Sequence, residues 1–213
     1  DAAHDFLARH FGVHSLSGFG CDGLRAAIGA AGAVLHYVKQ DLRRQVGHVR
    51  GLQVRNPADY MMLDEATISN LDLASVRGPG RPGVATTLLK VLDSTRTAMG
   101  ARLMRDWLLR PLTDLAAIGR RHDAVEAFTR DRALLTDIRG ELMRVKDLER
   151  LIARLGAGSG NARDLRALGA SLAALPDVRG RLDRAGGLLA DLRESLTPMP
   201  QLVELVDRAI AEE

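Results

Sequence analysis

Residues 88–112 read LLKVLDSTRTAMGARLMRDWLLRPL, and the spacing of apolar side chains within them decides the fold class. Leu88, Leu89 and Leu92 make one apolar helical turn, which Asp93-Ser94-Thr95 interrupts. A second helix is predicted from Thr97, with Met99, Leu103 and Trp107 at i, i+4 and i+8 and with Met104 and Leu108 widening the same stripe. That stripe predicts a core-facing helix, in which truncating Trp107 should cost about 3 to 5 kcal/mol. Arg102, Arg105 and Asp106 take the opposite side, Arg110 lies near the end where a cation suits the helix dipole, and Pro111 stops the helix.

Beyond this stretch the chain reads as consecutive helices with clear stops. Thr113 or Asp114 opens a helix with Leu115, Ile118, His122, Val125 and Phe128 on one face, and Asp131 opens another with Leu135, Ile138, Leu142 and Val145. Asp147 begins a third with Leu148, Leu151, Ile152 and Leu155, ended by Gly156-Ala157-Gly158-Ser159-Gly160. Leu165, Leu168, Leu172 and Leu175 mark the next, and Pro176-Asp177 restarts the helix. Gly186-Gly187 and Pro198-Met199-Pro200 divide the tail into Leu188 to Leu196 and Leu202 to Ile210. Helices joined by short connectors predict a mainly α chain built as a helical bundle. No fixed repeat is evident, so the pattern is not that of a solenoid.

Upstream the pattern differs. Residues 2–11, AAHDFLARHF, predict a short helix with Phe6, Leu7 and Phe11 inward, and Leu24 to about Gln45 predicts a longer one with Ile28, Leu35, Val38 and Leu42 in register. Ala26, Ala27, Gly29, Ala30, Ala31 and Gly32 permit close approach of a neighbouring element. Between the helices, Gly18-Phe19-Gly20-Cys21-Asp22-Gly23 has the G-x-G-x-x-G form of a dinucleotide fingerprint. Its context does not suit a cofactor, since only Val13 to Leu16 precedes it and no strand with a ribose-binding acid follows. A helix-entry turn capped by Asp22 is the plainer reading. Residues 49–63, VRGLQVRNPADYMML, alternate at Leu52 and Val54, turn at Asn56-Pro57-Ala58-Asp59 and resume at Tyr60 to Leu63, which predicts a short β segment of two strands. Asp64 then caps a helix through Leu71, and residues 76–83, VRGPGRPG, form a loop whose Arg77 and Arg81 are free to meet phosphate or water.

Composition narrows the function classes. Aromatics are 3% of the 213 residues, while Leu, Ala and Arg are plentiful, which favours helix. No apolar run of about eighteen residues and no signal-type start is present, against a membrane or secreted protein. A single cysteine, Cys21, has no disulfide partner and fits a reducing compartment. A chain that starts at Asp1 without methionine and stops at Glu213 within a helical pattern is expected to be a piece of a larger protein. The net charge of +3 is short of the basic footprint of a dedicated nucleic-acid module. Arginine carries nearly all the positive charge, lysine occurring only at Lys39, Lys90 and Lys146, which fits either phosphate recognition by planar forks or plain composition bias.

Chemistry-bearing patterns are few. None of the three lysines follows a glycine, so no G-x-x-x-x-G-K-[ST] phosphate loop exists. His4, His10, His14, His36, His48 and His122 form no H-E-x-x-H pair, and His10 and His14, at i, i+4 but separated by Gly12, lack a third metal ligand. Arg96, Arg102, Arg105 and Arg110 cluster in the opening stretch with fewer acids nearby, which leaves phosphate contact open, although inter-helix salt bridges are the plainer reading. Arg144, Lys146, Arg150 and Arg154 are expected to pair with Asp147 and Glu149 along their own helix. No aromatics interleave these cations, against a single-strand stacking platform.

Several of these stretches together resemble one family. Asp64-Glu65-Ala66-Thr67 with Asn70-Leu71 follows D-x-x-T-x-x-N-L, Leu92 to Leu112 follows L-D-x-T-x-T-x-M-G-x-R-x-L-x-x-W-L-x-x-P-L, and Arg120 to Val125 is an arginine-started stretch carrying R-x-x-A-V. Their order and spacing resemble the core or lever domain of the MutS family of DNA mismatch repair proteins. Asp147 to Arg154 is similar to the family's D-L-E-R-x-x-x-R segment, and residues 1 to about 50 are similar to the end of its connector domain. The resemblance implies that residues 1–52 are the C-terminal part of an α/β connector domain, present as a helical remnant, and that 53–213 are the N-terminal helical part of the core. It implies a lever role in a parent protein that binds mispaired DNA and uses ATP binding and hydrolysis in a domain absent here. ATP and Mg would belong to that parent, this stretch supplying no catalytic, cofactor-binding or metal-binding residue and no assigned nucleic-acid contact. The implied partners are mismatched double-stranded DNA, a second copy in a homodimer and a downstream repair protein of the MutL type, in the cytoplasm and without a membrane. The alternative is a helical protein-interaction module unrelated to DNA.

Overall fold

The computed structural model describes residues 2–54, 57–74 and 86–210. The chain divides into two compact units, Asp1–Asn56 and Pro57–Glu213.

In the first unit, α1 (Ala2–Phe11) packs on α2 (Arg25–His36) around Leu7, Leu16, Cys21, Leu35 and Val46, with Phe6, Phe11, Phe19 and Ile28 closing the sides. The small residues of α2 are used at one place. A Cβ on Gly32 would stand 2.7 Å from that of Ala3, so only glycine lets the two helices touch there. The entry to α2 differs from expectation. Leu24 occupies its N-cap position with no side-chain hydrogen bond, and Gly23 makes the turn at φ 76°, so Asp22 is not a cap. The helix also ends before Gln45. It widens into a π-type turn, Tyr37–Asp41, where the Leu42 N–H donates to the Tyr37 carbonyl at 3.0 Å. Arg43, at φ 49°, is in the left-handed region, which a right-handed helix cannot continue through.

The second unit is helical. Among the described residues it contains α3 (Glu65–Asn70), α4 (Leu88–Leu92), α5 (Ala98–Leu109), α6 (Leu115–Arg130), α7 (Arg132–Leu142) and α8 (Leu148–Gly156). There follow α9 (Ala162–Ala173), α10 (Leu175–Arg181), α11 (Gly187–Ser195) and α12 (Pro200–Ala209). The start signals read from sequence are side-chain caps: the oxygens of Asp64, Thr97, Asp114, Asp131 and Asp147 each accept a backbone N–H of the first turn that follows. Two apolar clusters hold the helices together. Ile138, Leu182 and Leu189 gather with Phe128, Leu134 and Leu142, while Leu151, Leu168 and Leu172 gather with Leu148, Leu155 and Val203. Ser171, fully buried, accepts the Lys146 N–H at 3.0 Å and donates to the Ala167 carbonyl at 2.7 Å, which fixes the turn before α8 against α9. No described helix is long and apolar enough to cross a membrane.

Among the described residues, the β segment expected over residues 49–63 is not formed. Val49 and Leu52 pack into the core of the first unit, and Pro57–Asp59 is a 3-10 turn. Tyr60 makes one antiparallel bridge, to Leu112, flanked by Met61 N–H to the Pro111 carbonyl at 2.8 Å and Thr113 N–H to the Asp59 carbonyl at 3.1 Å. A hairpin needs its second strand nearby in sequence; here the partner follows α5, and the apolar residues that suggested strands are divided between two units. Asn56, in the expected turn, and Arg77 and Arg81, in the expected loop, lie outside the described residues.

Candidate functional site

The elements converging on α5 carry the residues singled out above. Their positions begin with local hydrogen bonding. Asp64 Oδ1 accepts the Thr67 N–H at 2.7 Å, and the Thr67 side chain followed by its backbone hold the Asp64 carboxyl below the usual range. Asp93 Oδ1 accepts from Thr95 Oγ1 at 2.6 Å and from its N–H at 3.0 Å, with the same consequence for its carboxyl. Thr97 Oγ1 then accepts the Gly100 N–H at 3.0 Å and starts α5. A Cβ on Gly100 would stand 3.0 Å from that same oxygen and 3.5 Å from Thr95 Cβ. The D-x-T-x-T-x-M-G order is thus a turn followed by a cap, with glycine where the cap leaves little room.

From α5, Arg102 reaches the start of α8. Its two terminal nitrogens donate to the two oxygens of Asp147 at 2.8 and 2.7 Å, and its Nε and one terminal nitrogen donate to Glu149 Oε2 at 3.1 and 2.6 Å. Hydrogen bonding from Arg102 holds the Asp147 carboxyl down at about 2 and raises the guanidinium in turn. The same carboxylate caps α8 by accepting the Arg150 N–H at 3.3 Å. One fork therefore fixes α5 to the first turn of another helix, the planar geometry that lysine could not supply.

Trp107 meets α6. The guanidinium of Arg121 lies over its ring at 3.6 Å, and burial against it pushes Arg121 down from the ordinary value. Here the expectation of a core-facing helix is corrected. No residue of α5 is buried, Leu103 being 50% and Trp107 39% exposed. Periodicity shows that a face is apolar, and it does not supply the element that covers it. Arg105 donates to the Ala74 carbonyl at 3.5 Å, and Arg110 pairs with Asp106 on α5 at 2.7 Å.

The second arginine set is also placed differently from expectation. Arg150 does approach Asp147 on its own helix, at 3.8 Å, but Arg144 bridges Glu141 and Asp177, and Arg154 holds Asp164 at 2.5 Å. The sequence reading missed the pairings Arg102 with Asp147 and Glu149, and Trp107 with Arg121. The available signal was that all five residues stand in quoted motif stretches. Among the described residues no group of three or more His, Cys, Asp or Glu is placed to hold a metal ion, and His10 Nε2 is engaged with the Val49 carbonyl at 2.9 Å. What this arrangement can do is mechanical: it ties α5 to the first turn of α8, to α6 and to the chain that follows α3.

Comparison with known proteins accounts for the arrangement. The family model of MutS domain III matches residues 66–213, and that of MutS domain II matches residues 1–50. The DNA mismatch repair protein MutS of Symbiobacterium thermophilum is 48% identical over 213 residues, covering 99% of this chain and 24% of that protein. The proteins of the same name from Methanococcoides burtonii and Myxococcus xanthus are 42% and 45% identical over 100% and 99% of this chain, again 24% of their own length. The chain spans about a quarter of the length of the relatives it matches. With Arg102, Trp107, Arg121 and Asp147 at their motif positions and joined in pairs, and with family models matching residues 1–50 and 66–213, this chain belongs to the MutS family, of which it carries domains II and III.

Proposed function

We propose that the chain is the lever portion of a DNA mismatch repair protein. In this reading, residues 1–52 are the end of a connector domain and 53–213 the first part of the core. The Arg102 fork carries the reading: it locks α5 to α8 so that the two move as one body. Packed helices joined in this way shift between discrete arrangements rather than deforming continuously. The parent would bind mispaired double-stranded DNA as a homodimer in the cytoplasm, hydrolyse ATP with Mg in a domain outside these residues, and signal to a MutL-type protein. Nucleotide chemistry is assigned elsewhere because no lysine here follows a glycine as a phosphate loop requires.

The test is Arg102→Ala in the intact parent. Mismatch binding should persist while ATP-driven release from the mismatch slows, and Arg102→Lys should rescue only part of that coupling. ATP-driven release at the parental rate in both variants would remove the lever role.

A further inference from the structure

Charge is distributed unequally between the two units. In the second unit nine described arginines meet a carboxylate within 3.8 Å, among them Arg102, Arg120, Arg144 and Arg181. In the first unit Arg9 reaches only a backbone carbonyl, that of Asp5 at 3.1 Å, and Arg25, Arg43, Arg44 and Arg50 meet no carboxylate among the described residues. Lys39, Arg43, Arg44 and Arg50 fall within twelve residues that contain one acid, Asp41, and that acid already faces His36 Nδ1 at 3.8 Å. The modest net charge of the whole chain hides this concentration, because residues 57–213 hold 23 cationic and 23 acidic residues while residues 1–56 hold seven and four.

The segment that carries them is held in place. Val46 is 5% exposed and Val49 packs on the same core, so the chain is pinned on both sides of Gly47-His48. The Val49 N–H donates to the Val46 carbonyl at 2.9 Å, and His10 Nε2 holds the Val49 carbonyl at 2.9 Å. Arg43, Arg44 and Arg50 are exposed around these anchors. An anchored backbone need not be ordered again when these guanidinium groups meet an anion, and none of them must first abandon a carboxylate. Planar forks suit phosphate oxygens.

We propose that this basic segment, Lys39 to Arg50, is a sequence-independent contact for the phosphate backbone of double-stranded DNA. The inference rests on the mismatch-repair reading above and adds to it the place where this part of the chain meets DNA. Such contacts position a duplex without reading its bases, so a mismatch gains nothing here.

The test is fluorescence anisotropy of the 213-residue chain with a perfect duplex and a G·T duplex of equal length. With about three phosphates neutralised, affinity should fall roughly 40-fold between 50 and 200 mM salt, equally for both duplexes. Arg43→Ala/Arg44→Ala/Arg50→Ala should remove most of that salt slope. The matching triple lysine variant, which keeps the charge, should retain it, and Arg120→Ala, in an ion pair of the bundle, should leave it unchanged. Salt-sensitive binding that survives the triple alanine variant, preference for the G·T duplex, or equally tight capture of poly-glutamate would each overturn the proposal. Absence of duplex binding would do the same and leave the lever reading standing, since that is decided by ATP-driven release in the parent.

Discussion

Asp147 does two jobs with one carboxylate, capping α8 and receiving Arg102, and its titration reports both. Its folded midpoint near 2 lies below the ordinary value of about 3.9. Its contribution to stability is therefore complete above about pH 4 and is lost as pH falls towards 2. Carboxyl NMR should place Asp147 near 2 in the parent sequence, and Arg102→Ala should raise that midpoint towards the ordinary range; an unmoved midpoint would mean the fork is not closed in solution. At Trp107 the structure lowers the expected cost. A ring 39% exposed and covered by a guanidinium should lose about 1 to 2 kcal/mol on truncation to alanine by chemical denaturation of this chain, not the 3 to 5 of a buried aromatic. Arg121→Ala in the Trp107→Ala background should then add little, because the partner has already gone.

At the scale of elements, caps and crossings make separate predictions. Thr97→Ala removes the acceptor for the Gly100 N–H and should cost about 1 kcal/mol in a urea titration. Where α9 crosses α12, a Cβ on Gly169 would stand 2.9 Å from Val206 Cγ1, and Val206 is 3% exposed. Gly169→Leu should destabilise by about 1 to 3 kcal/mol and speed amide exchange in α12. Gly119→Ala, on α6 with open space at its Cβ, should instead stabilise by roughly 0.5 to 1 kcal/mol. These two glycines look alike in sequence. Their difference arises from a helix some 37 residues further along the chain in one case and from water in the other.

Over the whole molecule, cohesion and charge are separable. Leucine clusters hold the bundle, and its ion pairs are mostly exposed, so thermal melting should shift by only a few degrees between about 0.05 and 1 M salt. A collapse of the melting temperature at high salt would show that the ion pairs carry the fold. The sequence by itself determined the helical class, the capped starts at Asp64, Thr97, Asp131 and Asp147 though not those at Thr87 and Asn161, and the family, because apolar period, capping side chains and motif spacing are local properties that a chain displays without its partners. The β segment at 49–63, the end of α2 and the burial of α5 were not legible there, since each depends on what lies opposite: Leu112 for Tyr60, a left-handed Arg43 after the helix, and an arginine rather than a leucine over Trp107. Only the tertiary structure decided the pairings between helices, such as Arg102 with Asp147 and Arg120 with Asp191, because they join residues tens of positions apart and the Coulomb term that selects them depends on distance in space, not along the chain.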